Sequence, residues 1–166
     1  NHPTEGVLVR NYSLSDSPGK DYYRLSVKKE EQGLVSQFLH DQLVEGQTVE
    51  LNPPYGVFKL TTERKAIVLL SAGVGVTPLL SMWNQLSESI PNLGLLGKAI
   101  NRKGAKVNFL HANISPEHHA LQDEITSVAK NHPFFDYHFF YDDLTEETAK
   151  SSQGRLTKEA ILKHAP

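Results

Sequence analysis

The feature that most constrains this chain is an apolar run, Ala66-Ile67-Val68-Leu69-Leu70, that ends in Ser71-Ala72-Gly73-Val74-Gly75-Val76-Thr77-Pro78. A continuous apolar run of strand length is the pattern of a strand buried on both faces of a parallel sheet. The glycines after it permit a tight turn, and Pro78 suits the first turn of a helix, where its missing N–H costs nothing. Leu79, Leu80, Trp83 and Leu86 then recur at helical spacing, which predicts a helix from Thr77 to about Leu86. A strand, a glycine turn and a helix in that order leave unpaired N–H groups at the positive end of a helix dipole, a natural seat for a pyrophosphate.

Downstream the alternation continues. Lys106 to His111 reads as a second strand, Ala120 to Lys130 as a second helix and Phe134 to Phe140 as a third strand, which together imply a doubly wound parallel sheet. Ser87 to Gly104 has apolar residues without a clear period and reads as a long loop or insertion. Upstream the texture differs. Val7 to Leu14 and Tyr22 to Val27 flank the turn-rich Ser15-Asp16-Ser17-Pro18-Gly19-Lys20, a hairpin with a loop longer than two residues. Gly33 precedes a short helical stretch from Leu34 to Leu43, and Thr48 to Leu51 and Val57 to Leu60 resume as strands. The expected architecture is a partial antiparallel β barrel over residues 1–62, followed by a partial doubly wound α/β domain over residues 63–166.

Composition removes several functions. The formal charge is −2 and Lys and Arg are scattered, which argues against a nucleic-acid partner. The chain has no cysteine, so disulfides, thiolate metal sites and cysteine nucleophiles are excluded, and a cytoplasmic setting is the default. No apolar run reaches the roughly 20 residues that span a bilayer, and the polar start is not a signal peptide, so no membrane partner is expected. The start at Asn1 and the end at Lys163-His164-Ala165-Pro166, directly after an amphipathic stretch, read as cuts from a longer polypeptide.

The glycine turn is not a P-loop, because no Lys-Ser or Lys-Thr follows it. It also departs from the Rossmann fingerprint: Pro78 stands where a third glycine would be, and no acid ends the second strand at His111-Ala112-Asn113. A second motif, Arg10-Asn11-Tyr12-Ser13, lies on a predicted strand that points Arg10 and Tyr12 to one face and Asn11 and Ser13 to the other. A cation, an aromatic ring and a hydroxyl are the group types that hold a flavin, although an amphipathic strand with an exposed Arg has the same letters. His111, His118 and His119 lack a recognised zinc spacing, and no metal site is expected.

In order and spacing, Arg10-Asn11-Tyr12-Ser13-Leu14-Ser15, Gly33-Leu34-Val35-Ser36, Pro54-Tyr55-Gly56, Gly73-x-Gly75-x-Thr77-Pro78 and His111-Ala112 followed by His119-Ala120 resemble the ferredoxin–NADP reductase superfamily, and most closely the reductase half of flavohaemoglobins. The resemblance implies FAD and NAD(P)H as cofactors, and electron transfer to a haem in a globin domain that this sequence lacks, for conversion of nitric oxide to nitrate. It implies that Arg10 and Gly33, Leu34, Val35 and Ser36 contact the FAD pyrophosphate, that Tyr12 packs on the flavin ring and that Ser13 bonds near the ring nitrogen that accepts reducing equivalents. Gly73, Val74, Gly75, Val76, Thr77 and Pro78 would hold the nicotinamide dinucleotide. The lack of Arg or Lys just after His111-Ala112-Asn113 favours NADH over NADPH. Two alternatives stay open: a reductase of the same superfamily serving an iron–sulfur or cytochrome acceptor, and a nucleotide-binding remnant without catalysis.

Overall fold

A computed structural model describes residues 6–61, 66–89 and 106–165. Four parallel strands, β1 (Ile67–Ala72), β2 (Val107–Asn113), β3 (Phe135–Tyr141) and β4 (Ser151–Gln153), form one sheet in the order β1-β2-β3-β4. Ile67 pairs with Val107, and Val107 with Phe135, so equivalent rows of side chains share a face across the sheet. Helix α1 (Leu34–Asp41) precedes the sheet; α2 (Val76–Ser89) follows β1, α3 (Gln122–Asn131) follows β2, and α4 (Lys158–His164) follows β4.

The helices divide between the two faces. Leu79, Leu80, Trp83 and Leu86 of α2 and Ile125 of α3 pack with Ile67, Leu69, Val107, Phe109, Phe135 and Phe139 on one side. Trp83 is fully buried, edge-on to Phe109 at 5.4 Å and to Phe135 at 4.6 Å. Burial of each such aliphatic side chain contributes about 1.5–3 kcal/mol, and edge-to-face aromatic pairs add to it. On the opposite side, Leu110 and Phe140 meet Ala160, Ile161 and Ala165 in and just after α4. Helices on both faces of a parallel sheet are what the strand and helix alternation predicts.

Element boundaries shift by a few residues from the sequence reading, and one burial pattern differs. β1 begins and ends later than the apolar run, and α2 continues through Ser89, taking in the first three residues of the predicted 87–104 loop. Residues 90–104 of that loop lie outside the described residues. Nor is β1 buried on both faces: Val68 and Leu70 are 38% and 44% exposed, alternating with buried Ile67, Leu69 and Ser71. Among the described residues β1 pairs only with β2, and α4 reaches Leu110 and Phe140 but not the outer face of β1.

Residues 6–61 are less regular. The hairpin closes through an antiparallel bridge between Leu14 and Leu25, and the Ser15 N–H donates to the Arg24 carbonyl at 2.9 Å. The other predicted strand stretches, Thr48 to Leu51 and Val57 to Leu60, form no regular strand among the described residues, and the chain bends at Val57, whose carbonyl accepts from Lys59 N–H at 3.0 Å. Val7, Leu51 and Phe58 are exposed, and Val57 is 93% exposed. An alternating pattern becomes a stable strand only with partners and a covered face, and the described residues supply neither here. Among the described residues, no helix is long and apolar enough to cross a membrane.

Candidate functional site

The glycine turn sits where β1 delivers the chain to α2, at the C-terminal edge of the sheet. Gly73 adopts φ +50°, a conformation that suits glycine, and Gly73 to Gly75 form one tight helical turn before α2. Nothing lies within 4 Å of a Cβ built on either glycine, so both backbones are bare toward solvent. Ala72, before the turn, supplies no side-chain cap. The Thr77 hydroxyl donates to the Val74 carbonyl at 3.2 Å and braces the turn, while Val76 is buried in the core. Of the six residues assigned to the turn, Gly73, Val74 and Gly75 therefore offer a surface, whereas Val76, Thr77 and the half-buried Pro78 shape it.

Behind the turn lies a polar row whose members are not recognisable as a unit from their positions along the chain. Ser71 Oγ and His111 Nδ1 lie 2.8 Å apart across β1 and β2, and His119 Nδ1 lies 2.7 Å from the Tyr141 hydroxyl at the end of β3. The two imidazole rings lie 4.5 Å apart. Burial, reinforced by His119, pushes His111 down to about 3, and burial pushes His119 down to about 4. Both rings are neutral at physiological pH, so this row places no cation under the glycine turn. Among the described residues no group of three or more His, Asp or Glu is arranged to hold a metal.

The Arg10 to Ser13 segment is solvent-facing. The Arg10 guanidinium donates to the Val9 carbonyl at 2.8 Å, Ser13 is exposed and Tyr12 is half-buried. Its neighbour Asn11 accepts a 2.7 Å hydrogen bond from the Tyr55 hydroxyl, which brings the Arg10-Asn11-Tyr12-Ser13 and Pro54-Tyr55-Gly56 motifs together across 44 positions. Helix α1 opens at Gly33 without a side-chain cap. The first helical bond runs from Gln37 N–H to the Gly33 carbonyl at 2.8 Å, so the N–H groups of Leu34, Val35 and Ser36 have no partner within the helix. Ser36 is buried, with its hydroxyl donating to the Gly33 carbonyl at 3.0 Å and accepting from Glu30 N–H at 3.1 Å. A Cβ at position 33 would meet that hydroxyl, so a larger residue there would displace the Ser36 side chain from its bonds. Uncapped helix N-termini suit an anion, and the residues fit the pyrophosphate groups that the resemblance implies.

One loop joins the two segments. The Asp16 carboxylate accepts from Lys20 Nζ at 2.9 Å, the Tyr22 hydroxyl at 2.8 Å, Ser17 N–H at 2.8 Å and Asn84 of α2 at 3.4 Å. Burial raises this carboxyl, but the bonds from Lys20, Tyr22 and Ser17, with Arg24 nearby, prevail and hold it well below the usual carboxylate range. The Asp16 carbonyl accepts from the Ser81 hydroxyl of α2 at 2.7 Å. Lys20 also lies 3.5 Å from Glu88 of α2, and Arg24 binds the Ser15 carbonyl and, at 2.9 Å, Glu124 of α3. In the sequence Asp16 looks like ordinary turn chemistry, and only the fold reveals its second partner.

Comparison with known proteins agrees with this geometry. Residues 69–166 match the family described as Oxidoreductase NAD-binding domain, and residues 2–60 match Oxidoreductase FAD-binding domain. A Flavohemoprotein of Bacillus subtilis is 44% identical over 145 residues, covering 87% of this chain and 33% of the relative. A Flavohemoprotein of Deinococcus radiodurans is 35% identical over 157 residues, covering 92% and 36%. The chain thus spans about a third of the length of these relatives. Among solved structures, the flavohem-like FAD/NAD binding domain of nitric oxide dioxygenase from Vibrio cholerae superposes with a TM-score of 0.74 at 30% identity, covering 90% of this chain and 58% of that one. The CS-b5R domains of human Ncb5or share the fold, with a TM-score of 0.72 at 21% identity over 97% of this chain and 46% of that one. The chain belongs to the oxidoreductase NAD-binding domain family, joined to an oxidoreductase FAD-binding segment, and is a flavohemoprotein-like FAD- and NAD-binding oxidoreductase module.

Proposed function

We propose that residues 1–62 form part of an FAD-binding barrel and residues 63–166 part of an NAD(P)-binding α/β domain, and that together they pass electrons from NADH to a haem. The observation that carries this reading is the bare, positive-φ glycine turn at the C-terminal edge of the parallel sheet, at the head of α2. Open α/β sheets take ligands at that edge, where helix N-termini favour phosphate. Gly73, Val74 and Gly75 present backbone to the dinucleotide; Val76, Thr77 and Pro78 hold that backbone in place. Arg10 and the N–H groups of Leu34, Val35 and Ser36, presented by the turn at Gly33, receive the FAD pyrophosphate, Tyr12 supplies a ring to pack on the flavin, and Ser13 supplies a hydroxyl near its reactive edge.

The cofactors carry the redox chemistry, converting a two-electron donor into one-electron output; the chain's own residues bind and orient. The neutral His111 and His119 leave the donor site without extra positive charge, in keeping with NADH rather than NADPH. The relatives are named flavohemoprotein and nitric oxide dioxygenase, which supports a haem as the acceptor; on this reading that haem sits in a globin domain, with nitric oxide converted to nitrate in the cytoplasm. The test is the visible spectrum of the purified chain with FAD, followed by anaerobic NADH. A bound flavin band that bleaches is the expected result, and flavin that binds but never bleaches would reduce the chain to a nucleotide-binding remnant.

A further inference from the structure

The loop from Ser15 to Arg24 does more than close a hairpin. It leaves the Arg10 to Ser13 segment and lands on the outer surfaces of α2 and α3 through two separate sets of bonds: Asp16 and Lys20 to Ser81, Asn84 and Glu88, and Arg24 to Glu124. The levers are short. Ser81 lies five residues into α2, about 7.5 Å along the axis from the glycine turn at 1.5 Å per residue. Asp16 lies three residues from Ser13, no more than about 10 Å of chain.

Asp16 is also well placed to act as a rigid post. Its side chain is only 10% exposed, and bonds from Lys20, Tyr22 and Ser17 fix it from within the loop, so its contacts to α2 are made by a group that cannot swing freely. On the other side, Arg24 Nη2 is shared between the Ser15 carbonyl and Glu124, coupling the base of the hairpin to α3.

We propose that Asp16 and Arg24 are positioning residues that clamp the Arg10 to Ser13 segment against α2 and α3, and so fix the distance between the proposed flavin and nicotinamide sites. The proposal rests on the functional reading above, because a fixed spacing matters only if two bound rings must meet. A displacement of about 1 Å between reacting groups costs on the order of 100-fold in rate, so a clamp of this kind governs turnover without touching either cofactor.

The experiment cuts the bonds of Asp16 and Arg24 from the helix side, where the hairpin and the core are untouched: Ser81→Ala with Asn84→Ala and Glu124→Ala. The chain has no cysteine, so Val9→Cys and Ile114→Cys accept spin labels cleanly, one beside Arg10 and one at the end of β2. Pulsed electron paramagnetic resonance should give a narrow label distance with the clamp intact and a broad one in the triple variant, with the circular dichroism and Trp83 emission unchanged. In the unlabelled proteins, flavin reduction by saturating NADH should fall at least about tenfold while the affinities for FAD and NADH stay within about twofold. Ser81→Thr, which keeps the hydroxyl, should retain the narrow distance and the rate. A narrow distance in the triple variant, or a broad one with an undiminished rate, overturns the proposal. An intact chain that binds FAD but is never reduced by NADH overturns the functional reading and the clamp's role together.

Discussion

Arg10 illustrates how little a single side chain needs in order to matter. Its guanidinium is exposed and, among the described residues, its hydrogen bond goes to the neighbouring Val9 carbonyl, so the fold does not use it in packing. Replacing it with alanine should leave stability nearly unchanged and weaken flavin binding by about 1.5–3 kcal/mol, the usual contribution of a charged hydrogen bond, measured by fluorescence titration of FAD. Equal affinity in the two proteins would remove Arg10 from the site. The buried histidines behave in the opposite way. His111, His119 and His138 are held in the folded chain at about 3, about 4 and about 4, by burial first of all, against an ordinary value of 6.5. The unfolded chain therefore takes up protons that the folded chain refuses. Their contribution is complete above the ordinary histidine value and is lost as pH falls from there toward about 4, at about 1.4 kcal/mol per pH unit for each ring. Urea midpoints should drop between neutral pH and about pH 5, and midpoints that hold level would show that these rings titrate normally.

At the scale of elements, α2 carries the molecule. Its inner face fills the core through Trp83, and its N-terminus bears the glycine turn. Trp83→Ala should cost about 3–5 kcal/mol, a large part of an ordinary domain's stability, read from urea unfolding followed by circular dichroism. A loss below about 1 kcal/mol would mean that the pocket around Phe109 and Phe135 collapses without strain. The parallel half was legible in the sequence because β1, β2, β3, α2 and α3 each announce themselves by apolar content and period. β4 was not, since Ser151-Ser152-Gln153 has no apolar residue; it is held by polar groups, Glu147 Oε1 accepting from Gln153 N–H at 2.8 Å and His138 lying 2.9 Å from the Ser152 hydroxyl. The exposure of Val68 and Leu70 was hidden too, because an apolar run does not say which of its faces a neighbour will cover. In the candidate site, the glycine turn and the Arg10 to Ser13 motif were visible as residue types in order. The Ser71 to His111 and Asp16 to Ser81 pairings were not, since they join positions 40 and 65 apart in the chain.

For the molecule as a whole, stability is unevenly distributed. Among the described residues the buried core is drawn almost entirely from residues 67–141, whereas residues 6–61 contribute the Leu14–Leu25 bridge, one short helix and many exposed apolar side chains. Amide hydrogen exchange should accordingly show slow protons in β1, β2 and β3 and fast ones through most of residues 7–60, with Ser15 N–H as a slower exception. Uniform protection across both segments would contradict that division. The Ser15 to Arg24 loop also bears on how such a molecule can be rebuilt. Because it reaches α2 and α3 through a handful of side chains, the first segment can be exchanged for that of a relative like a cartridge, provided that Ser81, Asn84, Glu88 and Glu124 are matched to the incoming loop. Shuffled hybrids should then sort by those few positions rather than by overall sequence identity.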